Sequence, residues 1–197
     1  MRIKVYQIVS ERDKRNVKFA GSEELEKYQG SERVDAALYD EVFDGDVDRN
    51  TLEGVYELLN TDHPPLYRGR SLSVSNIVKT EDRFFYCDRF GFKEVDFDES
   101  LATKPKDLLR VVFVEPGKAA YVAEIENSLR AEPRAVGGKI ERIYNQDGTF
   151  ILCNEEGKQK GLPANRRLAG GADILVGNFF VIGADKEDPR SLTDEEI

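Results

Sequence analysis

The sequence predicts an α+β protein of two small domains, each a mostly antiparallel sheet with one or two packed helices. Three observations predict it. Short apolar runs with strand-like alternation recur along the chain, and two of them bracket Asn145-Gln146-Asp147-Gly148, a hairpin signal. Only a few segments carry a helical apolar period. Asp98–Asp107 is polar, holds one proline and has no period, so it reads as a linker between residues 1–98 and 108–197. A length of 197 residues suits two such domains of about 100 residues each.

In the first half, residues 2–9 alternate as an opening strand. Ser22-Glu23-Glu24-Leu25-Glu26-Lys27-Tyr28 starts with an N-cap serine and early acids and is followed by Gly30, the pattern of a short helix. Leu38–Phe43 reads as a second strand. Thr51–Asn60 reads as a helix whose Leu52, Val55, Tyr56 and Leu59 share one buried face, with Thr51 or Asn50 as cap. Leu72, Val74 and Ile77 alternate with Ser71, Ser73 and Ser75 as a half-buried strand. Lys79–Arg83 is the turn, and Phe84–Val95 returns as an aromatic strand with Gly91 as a bulge or close-approach site. The Leu52–Leu59 helix is expected to cover the apolar face of this hairpin.

In the second half, Leu108–Val114 is apolar enough for a central strand, and Glu115-Pro116-Gly117-Lys118 turns the chain. Ala119–Leu129 is expected to be helical, with Val122, Ile125 and Leu129 on one face. Ile140–Tyr144 and Thr149–Cys153 form the hairpin already named. Gly161–Arg167 reads as a turn-rich polar loop, Ile174–Gly183 as one strand, and Ser191–Glu196 as the start of a helix.

Charge narrows the function classes. The net charge is −9, and residues 1–100 hold 22 Asp/Glu against 15 Lys/Arg. An acidic surface repels the phosphate backbone that supplies most nucleic-acid affinity, so direct binding to DNA or RNA is disfavoured. The same surplus permits the opposite role, a DNA mimic of antirestriction type, if the acids of residues 35–62 form one continuous face. There is no apolar run of membrane-spanning length and no signal-peptide core, which implies a cytoplasmic protein without a membrane partner.

Candidate chemistry is thin. Asp44-Gly45-Asp46-Val47-Asp48 spaces its acids like a calcium loop, but Arg49 stands where the loop needs glycine and Val55 where it needs glutamate. Gly117-Lys118 and Gly138-Lys139 lack the first glycine of a phosphate loop, having Val112 and Pro133 there instead. Cys87 and Cys153 match no metal or redox spacing. His63 is the single histidine, and its place before two prolines at a helix end suits a structural capping role better than general-base catalysis. We therefore expect no catalytic residue, no metal and no cofactor. Tyr67, Arg68, Arg70 and Ser71 form the first candidate interaction surface, and Asn165 with Arg166 the second. An enzyme of unrecognised type would need a deep pocket joining Arg68, Arg70 and His63.

Several motifs carry a resemblance. Val5-Tyr6-Gln7-Ile8, the Leu52–Asn60 helix, His63-Pro64, Arg70-Ser71-Leu72-Ser73-Val74-Ser75 and Tyr86-Cys87-Asp88-Arg89-Phe90-Gly91-Phe92 resemble the YodL-like domain family over residues 1 to 97. Arg89 departs from that pattern, where serine is more usual. Val114-Glu115-Pro116-Gly117-Lys118, Cys153–Lys158, Gly161–Arg166 and Gly177–Val181 make residues 108–197 resemble a family of unknown function found on conjugative elements and phages of gut Firmicutes. The resemblance implies an accessory protein of a mobile element and brings no catalytic residues with it. The expected activity is non-enzymatic binding of a host or element protein. Either sheet's open edge is a route to a partner strand or a second copy.

Overall fold

The computed structural model describes residues 1–105, 107–127, 131–145, 148–168, 171, 173–186 and 188–197. The chain divides into two compact units, Met1–Pro105 and Lys106–Ile197. Both are built on antiparallel sheets with few helices, as an α+β fold requires.

The first unit holds β1 (Arg2–Ile8), α1 (Leu25–Gln29), β2 (Tyr39–Asp46), α2 (Leu52–Thr61), β3 (Ile77–Thr80), β4 (Arg83–Cys87) and β5 (Phe92–Val95). The sheet order is β2-β1-β3-β4-β5. Since β2 and β3 are each antiparallel to β1, they run parallel to one another, and α2 makes the crossover between them. The period-two pattern of β1 divides two apolar layers. Ile3 and Val5 join Phe43, Val55, Leu59, Tyr67, Leu72 and Val78 beneath α2. Tyr6 and Ile8 join Val17, Leu25, Tyr39, Ile77, Tyr86 and Phe97 on the other face. Helix α2 forms as its sequence predicts, and the Thr51 hydroxyl accepts from Gly54 N at its start. Val55 and Leu59 are fully buried, but Tyr56 lies on the solvent side, because the face under the sheet is narrower than four residues.

Three expectations for this unit need correction. Leu72–Asn76 is not a strand. Ser75 takes a left-handed φ of 75° and Asn76 is buried, so the sheet ladder begins only at Ile77. Phe84–Val95 is two strands, with Gly91 at φ 69° in the four-residue turn between β4 and β5. The second strand, expected over Leu38–Phe43, runs on through Asp44 and Asp46, whose side chains are drawn by Arg2 and Lys4 of the neighbouring strand. The expected linker is also partly built into the unit: Ala102 is buried, and Thr103 exchanges backbone hydrogen bonds with Tyr39 and Glu41.

The second unit holds β6 (Leu108–Val114), β7 (Tyr121–Glu126), α3 (Ala131–Val136), β8 (Ile140–Tyr144), β9 (Thr149–Asn154), β10 (Ala164–Arg167), β11 (Ile174–Val176), β12 (Phe179–Asp185) and β13 (Asp188–Arg190). Its main sheet runs β7-β6-β12-β9-β8, with β13 paired to β12, and β10 and β11 form a separate ribbon. The expected β8–β9 hairpin forms, with Tyr144 opposite Phe150; Gln146 and Asp147 lie outside the described residues.

Here too the sequence misleads in places. Tyr121–Glu126 is a strand paired with β6 along its length, not a helix. Val122 and Ile125 fit a helical spacing, but six residues rich in β-branched and aromatic types after a Pro-Gly turn complete a hairpin more readily. Leu129, the third member of that proposed face, lies outside the described residues. Ile174–Gly183 is interrupted after Val176, where the Asn165 side-chain amide donates to the Gly177 carbonyl at 2.7 Å and holds the kink. Ala164–Arg167, expected as loop, pairs with β11. Ser191–Glu196 does not wind into a helix; Leu192 is buried, and the Glu196 carboxylate turns back on Arg190 at 2.7 and 2.8 Å.

Candidate functional site

The most unusual polar chemistry of the first unit lies where the chain between α2 and β3 crosses β1. Gln7 of β1 is buried and organises it. Its Nε2 donates to the Arg70 carbonyl at 2.8 Å and lies 3.1 Å from both the Tyr67 hydroxyl and Asn76 Oδ1. Its Oε1 accepts from the Arg70 backbone N–H at 3.0 Å and from Arg70 Nη1 at 3.3 Å. Tyr67 is buried and donates its own hydroxyl to the Arg70 carbonyl at 2.6 Å. Burial pushes that phenol well above its usual pKa, with the Arg70 charge opposing. A side chain at Gly69 would meet Gln7 Oε1 and the Tyr67 hydroxyl at 2.8 Å, so glycine is what lets the chain pass.

Ser75 and Phe19 extend the group. Both are non-glycine residues with left-handed φ, 75° and 71°, and Phe19 N donates to Ser75 Oγ at 3.0 Å. The Tyr39 hydroxyl donates to the Ser75 carbonyl at 2.9 Å. The Phe19 ring, half exposed, has its centroid 5.7 Å from the Arg70 guanidinium carbon. Burial lowers the Arg70 pKa, with Tyr67 and Tyr39 opposing.

The sequence-selected residues are therefore spread over different roles. Tyr67 is not a contact surface; its ring is core and its hydroxyl is committed. Arg68 is half-buried, with Nη2 3.5 Å from the Glu41 carbonyl, and Ser71 is exposed. Asn165 and Arg166 lie in the second unit. Asn165 is a brace, donating to the Val114 and Gly177 carbonyls, while Arg166 is exposed and donates to the Lys118 carbonyl at 2.8 Å. His63 packs against Tyr67 with the rings tilted and their centroids 4.8 Å apart, and it donates from Nε2 to the Leu59 carbonyl at 2.8 Å, the capping role its position suggests.

Four of the acids of residues 35–62 lie beside cations, while Asp35, Asp48, Glu53, Glu57 and Asp62 are exposed. Asp40 pairs with Arg12, Asp44 with Arg2 and Lys4, and Asp46 with Arg2, while Glu41 is buried beside Lys4.

One exposed feature was missed by sequence reasoning. Phe90, at the β4–β5 turn, is 97% exposed. The turn beneath it is fixed: Asp88 N donates to the Gly91 carbonyl, Asp88 accepts from Ser22 Oγ, and Arg89 pairs with Glu24 at 2.6 Å. Beside it, β5 is the outermost strand of its sheet. The only sequence signal was an aromatic residue next to a turn glycine, which the expected continuous strand absorbed.

These features define a two-unit antiparallel α+β protein with a buried polar network and a rigid aromatic turn. Comparison with known families agrees with the division: residues 2–97 match the YodL-like domain and residues 109–197 match a domain of unknown function, DUF3846. The two halves of the chain are thus similar to two different families, a YodL-like domain and DUF3846. No curated protein and no solved structure matches it.

Proposed function

We propose that the chain is a non-enzymatic interaction module whose first unit binds a protein partner through the β4–β5 turn and the adjoining edge of β5. The observation that carries this reading is Phe90. An aromatic ring 97% exposed on a braced turn loses little conformational entropy when a partner covers it. Burying a phenylalanine side chain is worth about 1.5–3 kcal/mol, enough for an anchor. The edge of β5 offers backbone groups to a partner strand beside that anchor. The mobile-element setting, with a host or element protein as partner, rests on the resemblance of the second half.

The test is affinity capture with the full chain from its own cells, comparing wild type with Phe90→Asp. The expected result is a protein enriched by wild type and lost from the variant. Equal enrichment by both, or none by either, would remove the basis of the reading.

A further inference from the structure

We propose that the side edge of Arg70 formed by Nε and Nη2 is a binding site for a carboxylate group, gripped by two parallel hydrogen bonds beside the Phe19 ring. Three observations meet there. Nε and Nη2 are both shielded from water and have no acceptor among the described residues, while Nη1 is occupied by Gln7. These two nitrogens form the fork that matches a planar oxyanion. A buried charged donor left without an acceptor is costly, so its retention calls for a partner. Second, no described carboxylate forms an ion pair with Arg70, although residues 1–100 carry 22 acids against 15 cations. Arg12, Arg33 and Arg89 each find an acid in the same unit; Arg70 alone of these four is held away from them by the Gln7 and Tyr67 network. Third, Asn76 is fully buried and its Nδ2 also lacks an acceptor, one amide away across Gln7.

The chemistry favours a carboxylate over a phosphate. Arg70 supplies one positive charge, and its neighbours Gln7, Asn76, Tyr39 and Tyr67 are neutral. A monoanion balances that charge, whereas a phosphate dianion leaves an excess inside an acidic unit. The exposed member of the group is Phe19, whose ring lies beside the guanidinium, so the proposed approach to the fork is past that ring.

The test follows the Arg70 Nε–Hε resonance of the full chain in ¹H–¹⁵N spectra during titration with sodium acetate and, separately, sodium phosphate, at constant ionic strength. We expect a saturable shift with acetate, shared by the backbone amides of Phe19, Ser75 and Asn76, and at least about tenfold weaker binding in Arg70→Lys, which keeps the charge but loses the fork. A response to acetate that does not saturate overturns the proposal, and so does saturation with phosphate alone. Arg70→Lys binding as tightly as wild type overturns it as well. If that variant does not fold, the wild-type titration decides, since it needs no substitution.

Discussion

The Tyr6 hydroxyl donates to Glu99 Oε2 at 2.6 Å, joining the first strand to a segment 93 positions later. Glu99 also accepts from Lys79 at 2.6 Å and lies 3.6 Å from Lys4. This places the stretch after Phe97 inside the first unit. A polar sequence reads as linker because its apolar content is low; here one carboxylate on two donors holds it down.

Glu99 makes that closure acid-sensitive. Burial raises its pKa, but the hydrogen bonds from Lys79 and Tyr6 and the charges of Lys4 and Lys79 outweigh it and bring the carboxyl down to about 2 from 4.5. A folded pKa below the unfolded one stabilises the protein above pH 4.5, and that stabilisation is lost as pH falls toward 2. Glu99→Gln is expected to lower stability by about 1–2 kcal/mol at neutral pH, discounted for partial exposure. Its denaturation midpoint is expected to fall less than that of wild type between pH 5 and 3. Parallel urea titrations check both; equal acid sensitivity would assign the pH response elsewhere.

Gln7 and Tyr67 act as one unit. Gln7→Leu strands the Arg70 backbone N–H and removes one donor from Asn76 Oδ1, which keeps the Ser73 backbone N–H at 2.9 Å, at an expected cost of about 1–3 kcal/mol. Tyr67→Phe removes the hydroxyl that donates to the Arg70 carbonyl, at about 1–2 kcal/mol. Because both engage that carbonyl, the double variant is expected to lose less than the sum, with a coupling of at least about 0.5 kcal/mol. Chemical denaturation of the four proteins completes the cycle; additivity would show that the two contacts are independent.

Both cysteines are structural. Cys87 and Cys153 are buried, and burial first, then Asp88 for one and Glu141 for the other, pushes each thiol up to about 11. At pH 7 to 8 neither is expected to react with Ellman's reagent while the protein is folded, and both are expected to react on denaturation. Rapid labelling of the native chain at Cys87 or Cys153 would contradict this.

The legible parts of the fold are those where local and tertiary preferences agree. Val55 and Leu59 fix α2 because their spacing, the Thr51 cap and the demand of the sheet coincide. The β8–β9 pairing follows from two alternating runs around a turn-forming stretch. Ser71–Ser75 misleads because its alternation is real while its backbone is set by distant partners: Gln7, Tyr39 and Cys87 hold residues 70 to 76 off the sheet path. Tyr121–Glu126 misleads because a short run with apolar residues three apart satisfies both periods. The polar network was readable only in part. Arg70 stood out by type, but Gln7 and Asn76 carry no local signal, and their roles arise from contacts across 63 and 69 positions.

Two glycines of the first unit separate close approach from backbone conformation, and each predicts a different outcome. Gly91 has φ 69°, and a Cβ added there would have nothing within 4 Å, so only conformation is at stake. Asparagine tolerates that conformation, and Gly91→Asn is expected to cost under about 1 kcal/mol. Gly69 has no such φ, but a Cβ there would meet Gln7 Oε1, the Tyr67 hydroxyl and its ring carbon at 2.8–2.9 Å. Neither neighbour can retreat without breaking its hydrogen bonds to Arg70. Gly69→Ala is therefore expected to cost about 1–3 kcal/mol from overpacking, more than asparagine at Gly91. Thermal and urea unfolding of the two variants decide it: the reverse order would mean that the chain around Gly69 yields, and that the Gln7 network is softer than its geometry implies.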